Sequence, residues 1–230
     1  LAMGIGGQST WKIGPATQTG VTFAHNAYCY RCPFGLTYPN CEVRCATDVK
    51  ELIRTTTSGQ IAGMIAEPIQ GVGGFVTPPK EYFGIVAAIV REHGGVFISD
   101  EVQTAWQRTG QRWWGIENWG VTPDIMSSAK GIGGGFPLGA CLATADAAKG
   151  MVFGTHGSTY GGNPLAMAAG MAVLDVMEEP GFLESLNPML LAAGGAGVAL
   201  LAGVAMFLRS RRRADTGETS FLESRLQPDS

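Results

Sequence analysis

Charge is scarce in this chain. Only 15% of its 230 residues are Asp, Glu, Lys or Arg, and 16 basic side chains against 19 acidic ones leave a net charge of -3. That balance offers no broad positive field for nucleic-acid phosphates, and the one dense basic run, Arg209 with Arg211, Arg212 and Arg213, sits at one end. Nucleic acid is therefore not an expected partner. The three histidines, His25, His93 and His156, are too scattered to form a metal site between them. No charged-then-apolar leader opens the sequence, and five cysteines, an odd number, do not suit a closed disulfide framework. A reduced, cytoplasmic compartment is expected. No fixed period organises the 34 glycines, which excludes collagen-like and solenoid architectures. What the chain does have is a 45% hydrophobic content, enough for a sizeable globular core.

Residues 61 to 146 alternate short apolar runs with glycine-rich turns, the pattern of an α/β domain. One run, from Ile61, is closed by Glu67 and Pro68; another, from Gly95, is closed by Asp100 and Glu101. Both suit strands buried on two faces. Between them Phe83, Val86, Ala87 and Val90 recur at helical spacing, starting after Pro78 and Pro79 and stopping at Gly94 and Gly95. Strand, helix and strand form a crossover unit that brings Glu67 and Asp100 to one edge of a parallel sheet. A third run, from Pro123, ends at Lys130 and a glycine cluster, and Leu138 to Thr144 reads as a fourth strand. Asn163 with Pro164 caps a helix that runs through Met171 and Val176 toward Glu179. Asp48 and Glu51 make an aspartate version of a capping box, predicting a helix over 48–57, with residues 10–46 an irregular excursion before it.

After Glu184 the character changes. Residues 185–208 carry no charged side chain, and the arginines follow at once. As a helix, this stretch is long enough to span about 30 Å of hydrocarbon, so 185–208 is a candidate transmembrane helix, with membrane contact through 188–208. A buried core helix is the other reading. Residues 209–230 read as a basic, then polar, disordered tail.

Three segments place an acid, an amine and amide-bearing turns where open α/β sheets bind ligands. They are Asp100-Glu-Val-Gln103, Ser127-Ser-Ala-Lys130 and His156-Gly-Ser-Thr-Tyr-Gly-Gly-Asn163. Taken singly, each has a plain alternative: a helix-capping carboxylate, a solvated lysine and an ordinary loop. The lysine precedes its glycines, so this is no Walker loop. Taken in order with Glu67-Pro-Ile-Gln-Gly71, the set resembles the class III pyridoxal-phosphate-dependent aminotransferases of fold type I. The resemblance runs over about residues 1–183. Gly71-Val-Gly-Gly74 and the segment from His25 to Thr57 are most similar to a group near the alanine–glyoxylate aminotransferases.

That resemblance implies a mixed, mostly parallel sheet flanked by helices, the family's large domain over 1–184. It also implies pyridoxal 5'-phosphate as cofactor and amino-group transfer from an amino acid to a 2-oxo acid. Lys130 is then expected to carry the cofactor and move the proton at the substrate carbon, and Asp100 to keep the pyridine nitrogen protonated. Val102 is expected against the ring face, Gln103 at the ring oxygen and Glu67 on the substrate side. Ser158 and Thr159 resemble the pair that reaches the cofactor phosphate of a neighbouring subunit, which implies a homodimer. No metal is expected in the site.

The departures from the family pattern are specific. Its glycine-threonine phosphate loop and aromatic stacking motif would lie upstream of Leu1, and its small domain with a carboxylate-binding arginine would follow Glu184. The chain is accordingly expected to be an incomplete large domain, followed by an apolar helix and impaired in cofactor affinity and turnover. Ala105, Trp106 and Gln107 stand where the family has glycine, an aromatic and glycine. The alternative is a non-catalytic, single-pass membrane-anchored fragment or fusion. Separately, Cys29-x2-Cys32-x8-Cys41-x3-Cys45 suits either a tetrahedral zinc knuckle or a set of reduced thiols around Tyr28, Tyr30 and Phe34.

Overall fold

Short apolar runs that cannot complete a core alone must pair edge to edge, and here they do so in sequence order. The computed structural model describes residues 2–7, 19–110 and 112–182, those up to Pro180 lying in one compact unit. Strands β1 (Gly63–Ala66), β2 (Val96–Asp100), β3 (Ile125–Ser128) and β4 (Ala140–Ala143) form one sheet in the order β1-β2-β3-β4. The first two pairings are parallel, with Ala66 opposite Ser99 and Asp100 opposite Ser127. β4 returns antiparallel, Ala140 opposite Ser128. The α/β reading and the mostly parallel sheet therefore hold.

The helices are α1 (Ala2–Ile5), α2 (Arg44–Thr56), α3 (Tyr82–Glu92) and α4 (Pro164–Met177). α3 is the crossover between β1 and β2, and α2 packs on α3. Their facing stripes make the core: Ala46, Val49 and Ile53 from α2, Phe83, Val86 and Val90 from α3, Phe97 from β2, and Ile116. Phe83 is the hinge of the aromatic packing, edge-on to Trp119 at 5.2 Å and tilted against Phe97 at 5.8 Å. Lys50 of α2 pairs with Glu92 of α3 at 2.8 Å, and hydrogen bonding from Lys50 holds the Glu92 carboxyl below its usual range. Both partners are more than half exposed, so the contribution is small; it is present at neutral pH and lost as the pH falls through the carboxylate range.

Two expectations are corrected. α2 begins at Arg44 and not near Asp48: its cap is Val43, in the left-handed region at φ 51°, with no side-chain hydrogen bond. Burying Val43, Cys45 and Ala46 draws the helix back one turn, and Asp48 instead pairs with His25 at 2.9 Å. The strands are not buried on both faces either. Met64, Ala66, Phe97 and Ser99 share the face toward the helical core, whereas Ile65 on β1 is 42% exposed and Leu142 on β4 40%. α4 starts where expected, with the Asn163 side chain accepting from the Ala166 amide at 2.9 Å.

Among the described residues no helix is long and apolar enough to cross a membrane. The candidate span 185–208 and the tail 209–230 lie outside the described residues.

Candidate active site

Parallel pairing of β1, β2 and β3 brings their carboxyl ends to one edge, where Glu67, Asp100 and Lys130 follow in turn. Strand alternation then divides neighbours. Phe97, Ser99 and Glu101 fall on the inner face and are fully buried, while Asp100 points the other way and is half-buried. The Asp100 carboxylate accepts from the Ser127 hydroxyl at 3.0 Å and from the Val102 backbone N–H at 3.1 Å, both at Oδ1. Those contacts fix the carboxylate and leave Oδ2 for a cationic N–H donor.

Glu101 anchors everything that follows. Its Oε1 accepts from the Ser99 hydroxyl (3.1 Å) and the Ile116 amide (2.8 Å); its Oε2 accepts from the Thr104 hydroxyl (2.5 Å) and the Gly115 amide (2.9 Å). This ties the loop carrying Val102 and Gln103 to the end of β2. Sequence reasoning assigned it no role, although the period-two alternation from Phe97 marks it as inward.

Gln103 lies against the turn after Glu67. A Cβ on residue 71 would fall 1.4 Å from Gln103 Oε1, so only glycine fits there. The Gly71 N–H donates to Glu67 Oε2 at 2.9 Å, which brings Glu67, Gly71 and Gln103 together. On the far side, Asn26 Nδ2 donates to Gln70 Oε1 at 2.8 Å, a contact not anticipated from sequence.

Lys130 opens a 3-10 turn, Lys130–Gly133, and is exposed, with no ion pair among the described residues. Its φ of 51° is left-handed, unusual for a side chain with a Cβ and typical of strain held at functional sites. Two contacts hold it. α4 backs the turn closely enough that a Cβ on Gly134 would meet Val173 at 2.8 Å. Trp106 Nε1 donates to the buried Ser128 hydroxyl at 2.6 Å, just before the lysine, and Trp106 stands edge-on to Trp114 at 5.1 Å.

Trp106 and Gln107 are themselves left-handed, at φ 59° and 57°, and Gln107 is buried with Oε1 unpartnered. A side chain thus occupies a backbone conformation that suits glycine.

Ser158 and Thr159 do not join the cluster. Both are exposed on the loop before α4, where Ser158 Oγ accepts from the Gly161 amide at 2.9 Å. The cysteines Cys29, Cys32, Cys41 and Cys45 are free and line one small cavity, away from Lys130. Among the described residues no group of three or more His, Cys, Asp or Glu side chains is arranged to hold a metal ion.

Residues 9–190 match the family model for class III aminotransferases. The chain belongs to the class III aminotransferases. It is 53% identical over 141 residues to an acetylornithine aminotransferase of Agrobacterium fabrum, a match covering 61% of this chain and 35% of the relative. It is 43% identical over 183 residues to the mitochondrial alanine–glyoxylate aminotransferase 2 homolog 2 of Arabidopsis thaliana, covering 80% and 37% respectively. Among solved structures, the PLP-bound form of an amine transaminase from an uncultivated Pseudomonas species superposes with a TM-score of 0.71. That match is at 35% identity and covers 76% of this chain and 42% of the other. The chain thus spans little more than a third of the length of these curated relatives. Pyridoxal phosphate is the cofactor of this aminotransferase family.

Proposed function

We propose that this class III aminotransferase chain holds pyridoxal phosphate through Lys130 and Asp100 and serves amino-group transfer from an amino acid to a 2-oxo acid. The observation that carries the reading is the Asp100–Ser127 contact across paired strands, which sets an oriented carboxylate at the same edge as an unpaired lysine. When bound, the cofactor supplies an electron sink for the charge that develops at the substrate carbon. Asp100, oriented by Ser127 and the Val102 amide, would accept from the protonated ring nitrogen and keep that proton in place. Lys130 would hold the cofactor by its Nζ, and the same amine is the group that would take and return a proton at the substrate carbon. Val102 would cover the ring face, Gln103 would meet the ring oxygen, and Glu67, fixed by the Gly71 amide, would border the substrate.

Ser158 and Thr159 are assigned to the phosphate of a second copy's cofactor. Their exposure supports this, and it makes a homodimer part of the proposal. The alanine–glyoxylate-like pairing of substrates is supported by the longer match, over 183 residues, to the Arabidopsis relative. A cytoplasmic setting belongs to the same reading and is consistent with five free cysteines. No observation among the described residues favours the membrane-anchored alternative.

The test is direct. Purified chain is mixed with one equivalent of pyridoxal phosphate, reduced with borohydride and digested, and the labelled peptide is expected to contain Lys130. Label spread evenly over exposed lysines, or none, would end the proposal. Asp100→Asn is expected to weaken cofactor binding about tenfold, the loss of one charge-assisted hydrogen bond, with the label still on Lys130. Unchanged binding by absorbance titration would remove Asp100 from the site.

A further inference from the structure

The segment before α2 has almost no core of its own. Among residues 19–42, Ala27 is the sole buried side chain, and the only regular element is the one-turn 3-10 helix Cys29–Arg31. Turn hydrogen bonds carry its shape, such as Gly35 N–H to Cys32 O at 3.0 Å and Arg44 N–H to Cys41 O at 3.0 Å. Within it, two turns each present a pair of thiols to one cavity: Cys29 and Cys32 from the first, Cys41 and Cys45 from the second and the start of α2. All four are free, and the chemistry proposed for Lys130 and Asp100 uses none of them.

We propose that Cys29 and Cys41 are a reversible dithiol–disulfide site that cross-links these two turns. Cys29 is exposed, so an oxidant reaches it first. Cys41 stands on the opposite turn, lines the same cavity and is partly accessible; burial first, then the charges of Cys41 and Cys32, raise the Cys29 pKa, so its thiolate is a minor form at neutral pH. Cys45 is not the attacking group. It is buried, and burial followed by the charge of Cys29 pushes its pKa up to about 11, which keeps it a thiol at neutral pH.

With oxidised glutathione as oxidant, the Cys29 thiolate attacks one sulfur, forming a mixed disulfide and releasing one glutathione thiolate. The Cys41 thiolate then displaces the second. Two protein thiols are oxidised to one disulfide, one glutathione disulfide is reduced to two thiols, and the two protons lost by the cysteines end on glutathione. The site is not isolated from the cofactor edge. Asn26 lines the same cavity, and its side chain donates to Gln70, the residue before Gly71, on the turn that holds Glu67 and Gln103. Oxidation state in the excursion therefore bears on the substrate side. The inference is independent of whether the chain turns over.

The full chain is equilibrated in glutathione buffers from fully reduced to fully oxidised, blocked with a maleimide and mapped by mass spectrometry. Cys29 and Cys41 are expected to lose labelling together and to appear as one cross-linked peptide pair, lighter by two hydrogens and restored by dithiothreitol. Cys29→Ser and Cys41→Ser should each prevent the link, and Cys141→Ser should not. A bond confined to one turn, Cys29 to Cys32 or Cys41 to Cys45, overturns the proposal, as does no loss of labelling or a stable glutathione adduct. So does protection of all four thiols by one equivalent of zinc, which would make the cluster a metal site.

Discussion

Lys130→Ala is expected to abolish specific covalent capture of pyridoxal phosphate and to leave the unfolding midpoint of the chain where it was. The two halves of that result have separate causes. Capture is lost because Lys130 is the amine at the carboxyl edge beside Asp100, and the local backbone is arranged around it by the Trp106–Ser128 contact and by α4 behind the turn. Stability is kept because the side chain is exposed and unpaired, and alanine pays the same left-handed penalty at φ 51° as lysine does. The change in unfolding free energy should stay within about 0.5 kcal/mol. Lysines elsewhere provide the control. Lys149 is paired with Asp146 on the 3-10 turn Ala147–Gly150, and Lys80 lines a separate cavity with Ile69, Thr77 and Trp119, so neither follows β3 as Lys130 does. If borohydride fixes the cofactor on Lys149 or Lys80 in the unsubstituted chain, Lys130 is the wrong residue.

How much of this was legible beforehand depends on the range of the interaction. β1 to β4 are readable as short apolar runs because each is a local event, closed by its own acid, lysine or glycine cluster. The start of α2 was misread because a local signal, Asp48 with Glu51, competed with a tertiary one. Burying Val43 and Ala46 outweighs a side-chain cap, and the helix tolerates a left-handed valine to achieve it. The antiparallel return of β4 was not readable at all, since Leu138 to Thr144 has the same composition whichever way it runs. In the site, Glu67, Asp100 and Lys130 are visible as residues that end apolar runs. Trp106 on Ser128 is not visible: the two lie far apart in sequence and meet only because Trp106 and Gln107 adopt positive φ, which nothing in their residue types predicts. Asn26 on Gln70 is hidden for the same reason, as it joins the irregular excursion to a strand end.

Glu101 is where the fold and the site depend on one side chain, and its substitution should be the most damaging to stability of those considered. Each carboxylate oxygen takes one hydroxyl and one backbone N–H: Ser99 and Ile116 on Oε1, Thr104 and Gly115 on Oε2. The residue is fully buried, so no water replaces a lost acceptor. The hydroxyls can rotate and become acceptors, but the two amides cannot. Glu101→Gln therefore orphans one amide whichever way the new side chain turns, because its NH2 must face either Gly115 or Ile116. The expected cost is about 1–3 kcal/mol for that single buried donor. Glu101→Ala orphans both amides and leaves a cavity, and about 3–5 kcal/mol is expected, a fall in the thermal midpoint of roughly 10 °C for a unit of this size. The ordering is the diagnostic part. A packing role alone would make Gln, nearly isosteric with Glu, close to neutral, whereas the acceptor geometry makes it costly and predicts that Glu101→Asp, which keeps both oxygens but retracts them, also loses stability. Urea unfolding of the three variants decides between them. If Gln matches Glu within about 0.5 kcal/mol, the two amides have found other acceptors, and Glu101 does not hold the loop that carries Val102 and Gln103.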